Sequence, residues 1–206
     1  MKKNELRAYI PLSLAMLVPV PGRLAYGLVM IFLLFSLITL GTLFREFASK
    51  FFDDDLKNAL IAVVLVSVCI LVKQLVTLFS PLTALVLGIS FFMPGMTPFV
   101  LGNLFLKPQA PLGAELKSSL ASCGIFSAFA LLFFLARDIL AYGAISFPSS
   151  PGIFEIRLLA PHHIPQAAFF WASVPGAIIL LVLCYAAVSA VLDKLEIIET
   201  SEAAYR

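Results

Sequence analysis

Five stretches of this chain run for about twenty residues or more with almost no charge, the length a helix needs to cross the hydrocarbon of a bilayer. They are residues 24–44 (LAYGLVMIFLLFSLITLGTLF), 58–79 (NALIAVVLVSVCILVKQLVTLF), 81–103, 116–140 and 165–192. Their apolar residues are continuous instead of alternating, so they read as helices and not as barrel strands. Only 13% of the residues are charged, against about 25% in a soluble domain. That leaves too little polar surface to coat a water-exposed shell, and an integral membrane protein follows.

A shorter apolar piece, residues 8–21 (AYIPLSLAMLVPVP), is punctuated by Pro11, Pro19 and Pro21 and is too brief for a straight full crossing. It follows a basic start and so mimics a secretory leader, but it has no small-residue cleavage site, and the expectation is that it is retained. The run at 81–103 is also interrupted: LGISFFMPGMTPFVLG, residues 87–102, carries Pro94, Gly95 and Pro98. Broken backbone is tolerated at membrane depth only where protein buries it or a cavity receives it. The two broken pieces open the two halves of the chain, roughly 8–79 and 81–192. Paired interruptions at matching places predict an inverted 3+3 repeat. The expected fold is an all-α integral membrane protein of six transmembrane segments, a single domain over residues 1–206, with its first and fourth helices broken and residues 141–164 as a loop.

Six crossings put both termini on one side. Lys2, Lys3, Arg7, Arg45, Lys50, Lys57, Lys107, Lys117, Lys194 and Arg206 fall on that side, against Arg23, Arg137 and Arg157 on the other. The positive-inside bias predicts cytoplasmic termini. The formal charge of +2 comes without a basic run, so nucleic acid is not an expected partner. Cys69, Cys123 and Cys184 stand singly in apolar segments and read as small packing residues. No phosphate loop, nucleophile–base set or pair of catalytic carboxylates is present.

Several segments together resemble the membrane subunits of Rnf and Nqr type ion-translocating electron-transport complexes, in particular the RnfE/NqrD branch. LGISFFMPGMTPFVLG aligns to that family's pattern without a gap, sharing Leu87, Gly88, Ile89 and Gly102. LARDILAYG (135–143) is similar to the end of the family's fifth helix, with Asp138 one methylene shorter than the family's glutamate. WASVPGAIILLVLCYAAVSAVLDK resembles its last helix, Gln74 matches a glutamine near the end of the third, and IPLSLAMLVPVP parallels its start.

The resemblance implies six spans in an inverted repeat and a homologous sister subunit as partner. It also implies flavins and iron–sulfur centres elsewhere in the complex, and a bacterial inner-membrane location. The family places a cysteine at each broken helix to hold an iron–sulfur cluster between paired subunits. Those positions are Val20 (Val18 if the alignment slips) and Pro98 here, with Thr97 in place of the neighbouring asparagine. Neither valine nor proline ligates iron. The expectation is that this chain binds no cofactor or metal itself and has no catalytic residues of its own.

Candidate ion-path or structural polar residues remain. Lys73 is the one charge well inside a run; a lysine at the bilayer centre costs roughly 2.5–3.5 kcal/mol on insertion scales. It lies about 9 Å from the end of its span at 1.5 Å per residue, near enough to snorkel. Gln74 adjoins it, and Thr97 is the one side-chain hydrogen-bonding group beside Pro94–Pro98. Arg137 and Asp138 close the fifth run, as an ion pair that fixes the helix end or as an ion-entry point. The His162–His163 pair in the 141–164 loop reads as solvated. Small residues from Ala121 to Ala130 read as packing. Two function classes follow: a scaffold and ion-path subunit of an Rnf/Nqr-like oxidoreductase, or a small secondary transporter with broken-helix repeats.

Overall fold

The computed structural model describes residues 11–106, 111–149, 152–159 and 166–186. In chain order these form α1 (residues 11–17), α2 (Leu24–Ala48), α3 (Asp54–Phe79), α4 (Pro81–Leu87), α5 (Pro98–Leu101), α6 (Leu112–Tyr142), β1 (Ala144–Ser149), β2 (Gly152–Arg157) and α7 (Val174–Ala186). The segments Leu24–Ala48, Leu56–Phe79, Pro81–Leu106 and Leu112–Tyr142 are long and apolar enough to cross a membrane. The protein is thus mostly helical and built for a bilayer. The outer ends of the first and last expected spans, His162–His163, Lys107 and the charges near both termini lie outside the described residues.

Helix α2 is the hub. Its buried residues Met30, Leu33, Leu34, Leu37, Ile38, Gly41 and Arg45 recur every three or four positions and so share one face. That face packs chiefly on α6, which contributes Cys123, Phe126, Ala130, Phe133 and Phe134, and also on α3. Two glycines let the neighbours approach closely. A Cβ at Gly27 would stand 2.5 Å from the Phe134 ring, and one at Gly41 would stand 2.7 Å from Leu104.

Both expected breaks are present. After α1 the chain turns through residues 18–23, with Pro19 and Pro21 withholding the donors a helix would need. The second break begins at Gly88, whose φ of 43° is open to glycine and strained for other residues. Two 3-10 turns, Gly88–Phe92 and Pro94–Met96, lead to Thr97, which is extended (φ −65°, ψ 139°) as expected for a residue before proline. Helix α5 then restarts the span and passes into a π turn at Gly102–Leu106. This segment is no straight rod.

One expectation is corrected. The stretch 141–164 is not all loop: β1 and β2 pair antiparallel, with Ile145 opposite Ile156 and Phe147 opposite Phe154. The hairpin lies over the starts of α2 and α4 beside the end of α6, so the all-α description holds for the spans and not for this connection. The helices also outrun the apolar runs, α3 starting at Asp54 and α6 covering 31 residues.

Candidate functional site at the broken helices

Each break leaves backbone groups with no helical partner, and an unsatisfied group away from water costs several kcal/mol. At the first break the orphan groups are carbonyls. Arg137, 1% exposed, donates from Nη1 to the Val20 carbonyl at 2.9 Å and to that of Val18 at 3.4 Å. Its Nη2 donates to the carbonyl of Ala172 at 2.9 Å, at the end of the 3-10 turn Gln166–Ala172. The guanidinium fork therefore joins two chain segments that are distant in sequence. Gly22 makes room, since a Cβ there would lie 3.0 Å from Arg137 Nε.

The next residue serves the opposite polarity. Helix α2 has Arg23 at its N-cap, no capping side chain of its own and no acid in its first turn. Asp138, fully buried, supplies the missing acceptor from α6: Oδ2 receives the Leu24 N–H at 3.1 Å, the Ser146 N–H at 2.7 Å and the Ser146 hydroxyl at 2.5 Å. Ser146 Oγ in turn accepts from the Ala25 N–H at 3.1 Å. A carboxylate at a helix N-terminus also meets the positive end of the helix dipole. Arg137 and Asp138 are thus not paired with each other by any hydrogen bond or ion pair among the described residues, which removes the ion-pair alternative of the two that the sequence left open. One holds carbonyls and the other holds amides.

Around this cluster Arg23 pairs with Glu155 of β2 and lies 4.1 Å above the Tyr142 ring. Burial pulls the Arg23 guanidinium down, but the hydrogen bond and charge of Glu155 outweigh it and leave its pKa above the ordinary value. Arg157 approaches the other oxygen of Glu155 at 3.9 Å.

A second cluster occupies the far end of α2. Arg45 and Glu115, 5% and 4% exposed, pair at 2.9 Å. Arg45 also donates to the carbonyl of Asn103 at 3.2 Å, inside the second broken segment. Arg45 lies in the last turn of α2 and Glu115 in the first turn of α6, the favoured signs for both dipoles. A reciprocal pattern results. The arginine of α6 binds carbonyls of the first break, and the arginine of α2 binds a carbonyl in the π turn that ends the second broken segment.

Between the clusters the two broken segments touch. The Phe99 N–H, in the first turn of α5, donates to Ser13 Oγ of α1 at 2.9 Å. Thr97 caps the same helix: its hydroxyl donates to the Pro94 carbonyl at 2.7 Å and accepts from the Val100 N–H at 3.4 Å. Asn103 Nδ2 donates to the Phe99 carbonyl at 3.0 Å.

The remaining sequence-derived candidates separate from this assembly. Lys73 is half-buried and Gln74 exposed on α3, and no hydrogen bond or ion pair links either to Thr97, Arg137 or Asp138. Val20 is fully buried with its carbonyl held by Arg137, and Pro98 opens α5. An aliphatic chain and a pyrrolidine ring offer no donor to iron, so the residues at these two positions do not fit a cluster. Sequence reasoning missed Ser13, Ser146, Glu155 and the Arg45–Glu115 pair. In the sequence Arg45 enters only the count of basic residues on one side, and no local spacing ties it to Glu115.

No known protein-family profile matches this chain, and no sequence match is found among curated proteins.

Proposed function

We propose that this chain is a membrane-embedded, non-catalytic subunit of an Rnf/Nqr-like ion-translocating oxidoreductase. In this reading it supplies scaffold and part of the ion path beside a homologous sister subunit, in a bacterial inner membrane with both termini in the cytoplasm. Electrons pass through flavins and iron–sulfur centres on partner subunits. The observation that carries the reading is the reciprocal arginine pattern: Arg137 of α6 on Val18 and Val20, and Arg45 of α2 on Asn103. An inverted 3+3 repeat accounts for that exchange, because each half then clamps the broken helix of the other. The Ser13–Phe99 bond is consistent with two broken helices meeting at the centre of such a repeat.

The alternative, a small secondary transporter, calls for polar side chains at the breaks that are free to meet a substrate. The hydroxyls of Ser13 and Thr97 are instead engaged with the backbone of the second broken segment, which favours the subunit reading. The transporter reading has on its side the buried Asn103 Oδ1, Arg137 Nε and Asp138 Oδ1, which have no hydrogen-bond partner among the described residues.

The test is purification of the tagged full chain from native membranes in mild detergent. The expected result is a complex containing flavin-bearing membrane subunits and a sister of similar size. Recovery of the chain alone, together with solute flux through it in proteoliposomes, overturns the subunit reading in favour of the transporter.

A further inference from the structure

The β1–β2 hairpin has two unlike faces. Ala144, Ser146, Ile153, Glu155 and Arg157 share one: Ala144 and Ser146 are buried against the helices, and Glu155 pairs with Arg23. The other face carries Ile145, Phe147, Phe154 and Ile156, with Ser149 opposite Gly152 at its turn end; Ile145 packs partly against the core. Phe147, Phe154 and Ile156 are 40%, 59% and 47% exposed.

Two observations place this face against lipid. The first is height. Ser146 is bonded to Asp138 and to the Ala25 N–H in the first turn of α2, so the hairpin starts where the apolar spans end and not far out in water. The second is continuity. Gly152, on the apolar face, lies against Leu82: a Cβ there would stand 3.3 Å from its Cδ2. Leu82 and Leu85, 55% and 81% exposed, form the outer flank of the Pro81–Leu106 span. The exposed apolar surface of that span therefore adjoins the hairpin at Gly152, with Ser149 as the polar side chain of the face at that end.

We propose that the hairpin is an interfacial membrane element whose Phe147–Phe154–Ile156 face enters the headgroup–acyl boundary of the bilayer. Ser146 and Glu155 anchor its opposite face to the helical bundle. Phe side chains on an amphipathic element suit that boundary region. The two strands satisfy about half of their backbone groups in pairing, and the open edges require the hairpin to stay at the headgroup level, where water and headgroups meet the rest.

Trp171 is the single tryptophan of the chain, so a Trp171→Phe background reports on one introduced indole. The full-length Trp171→Phe/Phe154→Trp variant is reconstituted into phosphatidylcholine nanodiscs with chains brominated either near the headgroup or near the terminus. The expected result is at least twofold quenching by the shallow bromines, weaker quenching by the deep ones, and little by aqueous acrylamide. Arg157→Trp in the same background, on the opposite face, should show the reverse preference. If Phe154→Trp fails to fold, Phe147→Trp reads the same face. Quenching of the Phe154 position by acrylamide and not by bromine overturns the proposal by placing the face in water. Protection from both quenchers overturns it by placing the face against protein. Equal bromine quenching at Arg157 removes the claim that one face is selected.

Discussion

Replacing Arg137 with methionine tests the clamp that closes the first break. The side chain makes two bonds of 2.9 Å, to Val20 and Ala172, and a longer one to Val18. Hydrogen bonds involving a charged group contribute about 1.5–3 kcal/mol each, so the two good ones sum to about 3–6 kcal/mol. Methionine fills part of the same volume and removes a buried charge, which offsets some of the loss. Orphaned carbonyls at two chain turns work the other way, and the net cost expected is about 3–5 kcal/mol. At about 2–4 °C per kcal/mol for a chain of this size, the melting temperature should fall by roughly 10 °C. The protein carries its own reporter: Cys69 and Cys123 are 2% and 0% exposed. In a Cys184→Ser background a thiol-reactive fluorophore therefore reads unfolding directly during a thermal ramp in detergent. Arg137→Lys, which keeps the charge but loses the fork, should fall between the two. A melting temperature for Arg137→Met within about 2 °C of the parent, under 1 kcal/mol by the same conversion, refutes the clamp.

Two further outcomes follow from the packing. Arg45→Met should destabilise by about 3 kcal/mol or more, because it leaves the buried Glu115 without its ion-pair partner, and Glu115→Leu by less, because Arg45 keeps the Asn103 carbonyl. The double variant should cost clearly less than the sum, and strictly additive losses in the same thermal assay would contradict the pair. Gly27→Ala places a methyl group 2.5 Å from the Phe134 ring and should cost about 1–3 kcal/mol by overpacking. In a Phe134→Ala background that cost should vanish, and its persistence would mean that Gly27 is needed for some reason other than the ring.

The parts of this fold that follow from local chemistry were visible in the sequence. Proline withholds a donor and glycine permits a positive φ, so the rupture between Gly88 and Pro98 could be read from those residues alone. The helical spans followed from uninterrupted apolar runs. The hairpin was hidden because Pro148 and Pro151 disguise short strands as loop, and its buried serine looks like any surface serine in one dimension. The clamps were hidden for a different reason. Ser13 meets Phe99, Arg45 meets Glu115 and Leu24 meets Asp138 across 86, 70 and 114 residues of chain, and no periodicity announces such pairings. Arg137 and Asp138 stand out as adjacent charges, yet adjacency suggests an ion pair or an ion-entry point and not two separate backbone clamps. On a helix, neighbouring side chains point in different directions, and here they serve segments of opposite polarity.

The two charged clusters also set a dimension. From Leu24 to Arg45 on α2, and from Glu115 to Asp138 on the antiparallel α6, the rise is about 32–35 Å at 1.5 Å per residue, close to the roughly 30 Å of bilayer hydrocarbon. Because the helices are fastened to each other at both extremes, sliding one past the other by a turn would undo both fastenings at once. The pair therefore behaves as a gauge of fixed length. In a thinner membrane it must tilt as one body or locally thicken the surrounding lipid, and either response costs fractions of a kcal/mol per ångström. Membrane thickness thereby becomes a variable to which this otherwise rigid protein responds.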